Sequence, residues 1–96
     1  MLETLSTGAP TALANTIILF FGAISDQLGR SHRVHVPVGG VSLSALRAII
    51  DAQLPGAAAA LTTPGVRAAV DQVLVIDDTH VPPGAEVAFF SAFSGG

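Results

Sequence analysis

The sequence contains no lysine and no cysteine, and it has neither tryptophan nor tyrosine. Without lysine, a Schiff-base nucleophile and a phosphate-loop lysine are excluded. Without cysteine, disulfides, thiolate metal sites and cysteine catalysis are excluded as well. Charged residues make up 11% of the chain and the formal net charge is −3. The chain therefore lacks the basic surface by which nucleic-acid-binding proteins are recognised.

Half of the 96 residues are apolar, which is enough for one domain with a modest core. Residues 1–15 show no hydrophobic periodicity, and we expect them to form a disordered leader before a domain over residues 16–91. This leader lacks the cationic start of a signal peptide, and the apolar run at residues 17–21 is too short to cross a bilayer. We expect a cytoplasmic protein.

The apolar pattern of the first half predicts two strands and a helix. Residues 16–23 hold five consecutive large apolar residues, typical of a central strand. Residues 24–28 add one helical turn, and residues 32–38 alternate as an antiparallel partner strand, with Pro37 indicating a sheet edge or a strand end. Ser42 is a good N-cap for the main helix. We expect Leu43, Leu46, Ile49, Ile50 and Leu54 to face the core, and Ser44, Arg47 and Asp51 to face away from it.

The second half predicts three more strands. Residues 66–70 and 73–76 form a hairpin with Asp71-Gln72 as its turn. Residues 85–90 form the last strand, in which Val87 and Phe89 pack under the helix and Phe90 lies exposed on the open side of the sheet. The resulting order, β-β-α-β-β-β, predicts an α+β protein with one main helix on one face of its sheet.

The chain ends on Gly95-Gly96. Two glycines form a slender arm that enters a tunnel too narrow for side chains. Residues 92–96 span roughly 16 Å when fully extended, at ~3.3 Å per residue. We interpret them as an extended functional tail; the alternative is a frayed terminus without a role.

His32, His35 and His80, with Asp77 and Asp78, are the candidates for an independent active site or a metal site. His32 and His35 are three residues apart, which places them on opposite faces of a strand. We therefore expect no metal site, and we interpret the two aspartates as turn residues.

Three stretches resemble the small subunit of molybdopterin synthase, a sulfur carrier of the ubiquitin-like β-grasp class. They are Leu19-Phe20-Phe21-Gly22-Ala23 with Leu28-Gly29, then Ala69-Val70-Asp71-Gln72, then residues 84–90 running to Ser94-Gly95-Gly96. The resemblance covers residues 16–96 and implies a mixed sheet of about five strands packed on one main helix. Two departures stand out: Asp71 where the family often has asparagine, and Ser91-Ala92-Phe93 in place of a proline-containing stretch.

The resemblance also implies a function. An activating enzyme adenylates the Gly96 carboxylate with ATP, a sulfur donor converts it to a thiocarboxylate, and the large synthase subunit passes the sulfur to a pterin precursor. Phe93, Ser94 and Gly95 enter the partner, and Phe90, Phe21 and Leu74 form the interface. The chain itself binds no cofactor and has no active site of its own.

Two alternatives stay open at this point. One is a sulfur carrier for another pathway, such as thiazole or cysteine synthesis. The other is a ubiquitin-like binding or modifier module that transfers no sulfur.

Overall fold

Residues 13–91 are described by the structure, a computed structural model. Within this range the chain forms seven strands and three helices. In chain order they are β1 (Leu13–Phe20), α1 (Ala23–Leu28), β2 (Ser31–Pro37), β3 (Val41–Ser42), α2 (Leu43–Gln53), α3 (Ala57–Leu61), β4 (Val66–Val70), β5 (Val73–Val75), β6 (His80–Val81) and β7 (Glu86–Ser91). None of these helices is long and apolar enough to span a membrane.

Five strands form one mixed sheet in the order β2-β1-β7-β4-β5. Strands β1 and β7 run parallel, and the other neighbours are antiparallel. The two-residue strands β3 and β6 form a second, small antiparallel pair. The predicted ubiquitin-like β-grasp arrangement is confirmed, with α2 as its main helix.

The core lies between the sheet and the helices. Each strand contributes the residues of one parity, because successive side chains point to opposite faces. The largest fully buried side chains are Phe20, Phe89, Ile18, Leu46, Ile50, Leu61, Val34, Val36, Val81, Val87 and Thr16. We call this side of the sheet the helix face and the opposite side the open face.

Helix α2 begins where the sequence predicts. The Ser42 hydroxyl accepts a hydrogen bond from the Ala45 N–H at 3.1 Å, which satisfies one of the unpaired amides of the first turn. Of the predicted apolar stripe, Leu43, Leu46 and Ile50 are buried.

Several strands differ from the sequence predictions. Strand β1 starts at Leu13, so residues 13–15 belong to the domain and not to the leader. The cause is pairing with β2, whose residues 35–37 lie opposite them. Strand β7 includes Ser91, and β3 and β6 were not predicted. Residues 1–12 of the predicted leader and the predicted tail at residues 92–96 lie outside the described residues.

Candidate functional site

Strand β7 lies in the middle of the sheet and leads to the C-terminal tail. It pairs in parallel with β1, from Ile17 opposite Glu86 onward, and antiparallel with β4, whose Val66 lies opposite Ser91. The strand is therefore paired with β1 as far as Phe89 and with β4 as far as Ser91, the residue before the tail. The predicted site residues Phe93, Ser94, Gly95 and Gly96 lie outside the described part of the chain.

On the helix face, β7 is held by the packing of its buried side chains. The Phe20 and Phe89 rings stack with centroids 6.3 Å apart and an interplanar angle of 18°. Val87 and Phe89 are fully buried, as predicted. The Arg47 guanidinium lies 5.9 Å from the Phe89 ring centroid, within the range of a cation–π contact.

The prediction that Arg47 faces away from the core is wrong, because Arg47 is only partly exposed and its Nε is buried. It follows Leu43 by four residues and precedes Ile50 by three, which places all three on one side of α2. Its aliphatic stem therefore packs with the stripe while the guanidinium covers Phe89.

The start of β7 is fixed by the β4–β5 turn. Asp71 and Gln72 both have positive φ, 49° and 70°, as a two-residue hairpin turn with two left-handed residues requires. The Asp71 carboxylate accepts the Glu86 N–H at 3.0 Å, and the Asp71 N–H donates to the Glu86 carbonyl at 2.8 Å. Aspartate at this turn thus has a partner on β7, a contact that the sequence alone did not show.

The three predicted interface residues all lie on the open face. Phe20 lies opposite Phe89, and the Phe21 N–H donates to the Phe89 carbonyl at 3.0 Å. Phe21 and Phe90, the next residues of the two neighbouring segments, therefore lie beside each other. Leu74 lies opposite Ala69 on the adjoining strands. Phe21 is 51% exposed and Leu74 is 56% exposed. Phe21, Phe90 and Leu74 thus share the open face, and we call them the aromatic patch. Strand β4 separates Leu74 from Phe90, and its exposed Arg67 lies opposite Phe90.

The exposure predicted for Phe90 is not observed, because its side chain is only partly exposed. Phe90 belongs to the central strand, with β1 on one side and β4 on the other. Leu74, on the edge strand β5, is more exposed.

Asp78 acts as a structural cap of α2. Its two carboxylate oxygens accept the Ser44 N–H at 2.8 Å and the Ser44 hydroxyl at 2.9 Å. These hydrogen bonds from Ser44, and to a smaller extent the nearby Arg47 guanidinium, hold the pKa of Asp78 below its ordinary value. Asp77 and Asp78 line a groove of about 580 Å³ between α2 and β5. The turn interpretation of Asp78 missed this contact with a residue 34 positions away.

The histidine side chains do not lie together at one site. One ring nitrogen of His32, Nε2, is hydrogen-bonded to Gln53 of α2 at 2.8 Å, on the helix face. His35 is exposed and lies on the open face, as the alternation of β2 predicts. Within residues 13–91 no group of three or more His, Asp or Glu side chains is arranged to hold a metal ion.

The fold and the site together define a class: a ubiquitin-like β-grasp protein whose central last strand delivers the C-terminus. Residues 18–96 match the model of the ThiS family, and the chain belongs to that family of ubiquitin-like sulfur carriers. A comparison with curated protein sequences finds no match.

Two crystal structures from Haloferax volcanii share the fold. One, of SAMP1, is 19% identical with a TM-score of 0.65, and the match covers 85% of this chain and 99% of that one. The other, of small archaeal modifier protein 1, is 18% identical with a TM-score of 0.63, and covers 81% and 97% respectively. At these identities the likeness concerns the fold.

Proposed function

We propose that the chain is the sulfur-carrying small subunit of a molybdopterin synthase. The observation that carries this proposal is that the ThiS family match covers residues 18–96 and includes Gly95-Gly96. The central strand β7 leads directly into these last residues. The aromatic patch beside β7 and the three motifs of the sequence favour the molybdopterin pathway over other sulfur carriers.

The chemistry takes place at the Gly96 carboxylate. A partner enzyme binds ATP and transfers AMP to this carboxylate, which releases pyrophosphate. A carboxylate is a poor acyl donor until it carries such a leaving group. A sulfur donor then displaces AMP and leaves a thiocarboxylate, whose sulfur is the better nucleophile.

The described residues contribute position and not catalysis. Strand β7, held between β1 and β4, fixes the point where the tail leaves the body. Phe21, Phe90 and Leu74 bind the large synthase subunit, while Phe93, Ser94 and Gly95 occupy its entrance channel. A span of roughly 16 Å for residues 92–96 is enough to bring Gly96 into an active site on the partner.

The test is the intact mass of the protein after incubation with the host's activating enzyme, ATP and a sulfur source. We expect a gain of about 16 Da, the difference between sulfur and oxygen, confined to the C-terminal peptide. A chain without Gly96 and a reaction without ATP are the controls. No gain, with an enzyme that is active on another carrier, contradicts the sulfur-carrier function.

A second step distinguishes the pathways. The charged carrier is mixed with the large synthase subunit and the pterin precursor, and in parallel with a thiazole synthase. Loss of the added 16 Da only in the first mixture supports the molybdopterin pathway. Loss only in the second assigns the chain to thiazole synthesis.

The likeness to small archaeal modifier protein 1 favours a second candidate, a ubiquitin-like modifier that forms amide bonds with other proteins. The two candidates differ in product, since a modifier is recovered in conjugates of higher mass. The chain contains no lysine, so a modifier of this sequence cannot be extended through lysine side chains of its own. Conjugates without thiocarboxylate would favour this second function.

A further inference from the structure

Strand β2 forms one edge of the five-stranded sheet. It pairs with β1 over its whole length, from Leu13 opposite Pro37 to Leu19 opposite Ser31. No strand within residues 13–91 pairs with its other side. At the opposite edge of the sheet, β5 has only three residues. The seven residues of β2 are therefore the longer exposed strand edge of the described domain.

The register shows which backbone groups of β2 point outward. The Phe20 N–H donates to the Arg30 carbonyl at 2.9 Å, so these two form a hydrogen-bonded pair. Because such pairs alternate along an antiparallel ladder, His32 and Val34 also bond to β1. Ser31, Arg33 and His35 direct their N–H and C=O groups away from the sheet. Pro37, which has no N–H, ends this row.

The same segment concentrates the positive charge of an acidic protein. Arg30 and Arg33 are two of the four cationic residues of the chain, and His32 and His35 lie beside them. No Asp or Glu occurs between residues 27 and 50. Arg33 and His35 are both exposed on the open face. The acidic residue nearest to them in register on that face is Glu86, two strands away beyond Ile17.

The row of outward amides ends beside an apolar groove. A groove of about 470 Å³ is lined by Leu19, Phe21, Arg30 and Ser31, together with residues of the loop into α1. It offers a place for one hydrophobic side chain, with the Arg30 guanidinium next to it. Backbone donors, a pocket for an alternate side chain and a fixed charge are the three elements by which strand addition recognises a peptide.

We propose that the outer edge of β2 binds an extended acidic segment of a partner protein by strand addition. The backbone of that segment pairs with Ser31, Arg33 and His35, its carboxylates face Arg33 and Arg30, and one apolar side chain enters the groove. The positive charge of β2 favours an acidic partner over a second copy of the chain. An antiparallel pair of two β2 strands centred on Arg33 would place like charges directly opposite each other, which destabilises a sheet.

The β2 edge is separated by β1 from β7, the strand that leads to the tail. The groove shares Phe21 with the aromatic patch, whereas Phe90 and Leu74 lie on β7 and β5 and stay uncovered by a partner bound to β2. Deleting Gly96 is expected to leave peptide binding unchanged. Failure of the sulfur-carrier function and failure of this proposal are therefore distinguishable.

The probe is an acetylated and amidated peptide, Glu-Val-Glu-Thr-Glu-Val, titrated into the full chain and followed by NMR. We expect saturable binding, amide shifts centred on β2, and slowed hydrogen exchange at Ser31, Arg33 and His35. Two matched peptides serve as controls: one with lysine in place of glutamate, and one with alternate backbone nitrogens methylated. Both are expected to lose binding, the first through charge and the second through the missing N–H donors.

Two variants, each of which replaces an arginine with a glutamate, locate the binding site. Arg33→Glu is expected to weaken binding about tenfold, since it removes an attraction and adds a repulsion. Arg67→Glu, an exposed arginine on β4, is expected to leave it within twofold. Equal binding of the lysine peptide, or equal loss in both variants, overturns the proposal. So does exchange protection of the β2 edge without peptide, which would assign the edge to a second copy or to residues 1–12.

Discussion

The carboxylate of Asp78 closes the first turn of α2 through Ser44, at 2.8 Å to its N–H and 2.9 Å to its hydroxyl. Next to it, the Leu43 N–H donates to the Thr79 carbonyl at 2.8 Å. The first N–H groups of a helix have no hydrogen-bond partner within the helix, so these two contacts supply partners that water would otherwise provide. The segment before β6 thus holds the start of α2 in place.

Replacing Asp78 with asparagine is expected to lower the Tm and to reduce the loss of stability in acid. The folded pKa of Asp78 is depressed, so the carboxylate contributes stability above its unfolded pKa of about 4 and loses it as the pH falls through the folded value. Thermal unfolding of both proteins between pH 7 and pH 2 measures this. Asp77→Asn is the control, since Asp77 makes no hydrogen bond to the described residues; an equal effect there would contradict the cap.

Gly40→Ala is expected to destabilise the protein by about 3 kcal/mol. Gly40 has φ +84°, and an added Cβ would lie 2.5 Å from the Val81 carbonyl oxygen, which belongs to the backbone of β6. Left-handed strain and overpacking of this kind cost roughly 1–2 and 1–3 kcal/mol. Gly56→Ala measures the left-handed strain without the overpacking, because Gly56 has φ +92° and open space around it. A loss of about 1 kcal/mol is expected there. Equal losses in urea unfolding would rule out the steric contact.

Thr16→Val is expected to stabilise the protein by about 1 kcal/mol. The Thr16 side chain is fully buried in β1, and its hydroxyl has no hydrogen-bond partner among residues 13–91. Replacing an unsatisfied buried polar group with an apolar one of similar shape removes a desolvation cost of roughly 1–3 kcal/mol, reduced by imperfect packing. The urea midpoint is the measurement. Thr62→Val is the control: its hydroxyl donates to the Ala58 carbonyl at 2.8 Å, so no gain is expected.

Leu74→Glu is expected to weaken binding to the large synthase subunit at least tenfold. Leu74 is exposed on the open face, and a charge there must be desolvated when an apolar partner covers it. Its neighbour Val73 is 65% exposed but points to the other side of β5, so Val73→Glu should bind normally. Calorimetric titration of each variant decides this, and equal affinities would exclude the aromatic patch as the interface. Phe90→Ala should weaken binding too, but Phe90 is partly buried, so its effect on folding must be measured first.

The sequence predicted the features that depend on neighbouring residues, namely turns, helix caps and the alternation along strands. The Asp71-Gln72 turn follows from two apolar runs separated by two polar residues, and Ser42 follows from the stripe that begins after it. The alternation along β7 placed Val87 and Phe89 in the core. It also placed Phe90 on the open face. Phe21 and Leu74 were predicted as interface residues from the family resemblance, and only the strand order shows that they share that face.

Contacts between distant segments could not be predicted in this way. Residues 13–15 are strand only because β2 lies beside them, and their own sequence shows no period. Strands β3 and β6 have two residues each, too few for any pattern. Arg47 is drawn to the Phe89 ring and Asp78 to Ser44, and neither partner is visible from the neighbouring sequence.

The central position of β7 has a mechanical consequence. A pull on the C-terminus acts along a strand bonded to β1 on one side and β4 on the other. These hydrogen bonds run across the direction of pull, so they are loaded together in shear and are not opened one at a time. An edge strand such as β2 or β5 would have only one such row. A force on the last residues is therefore resisted by two rows of hydrogen bonds at once.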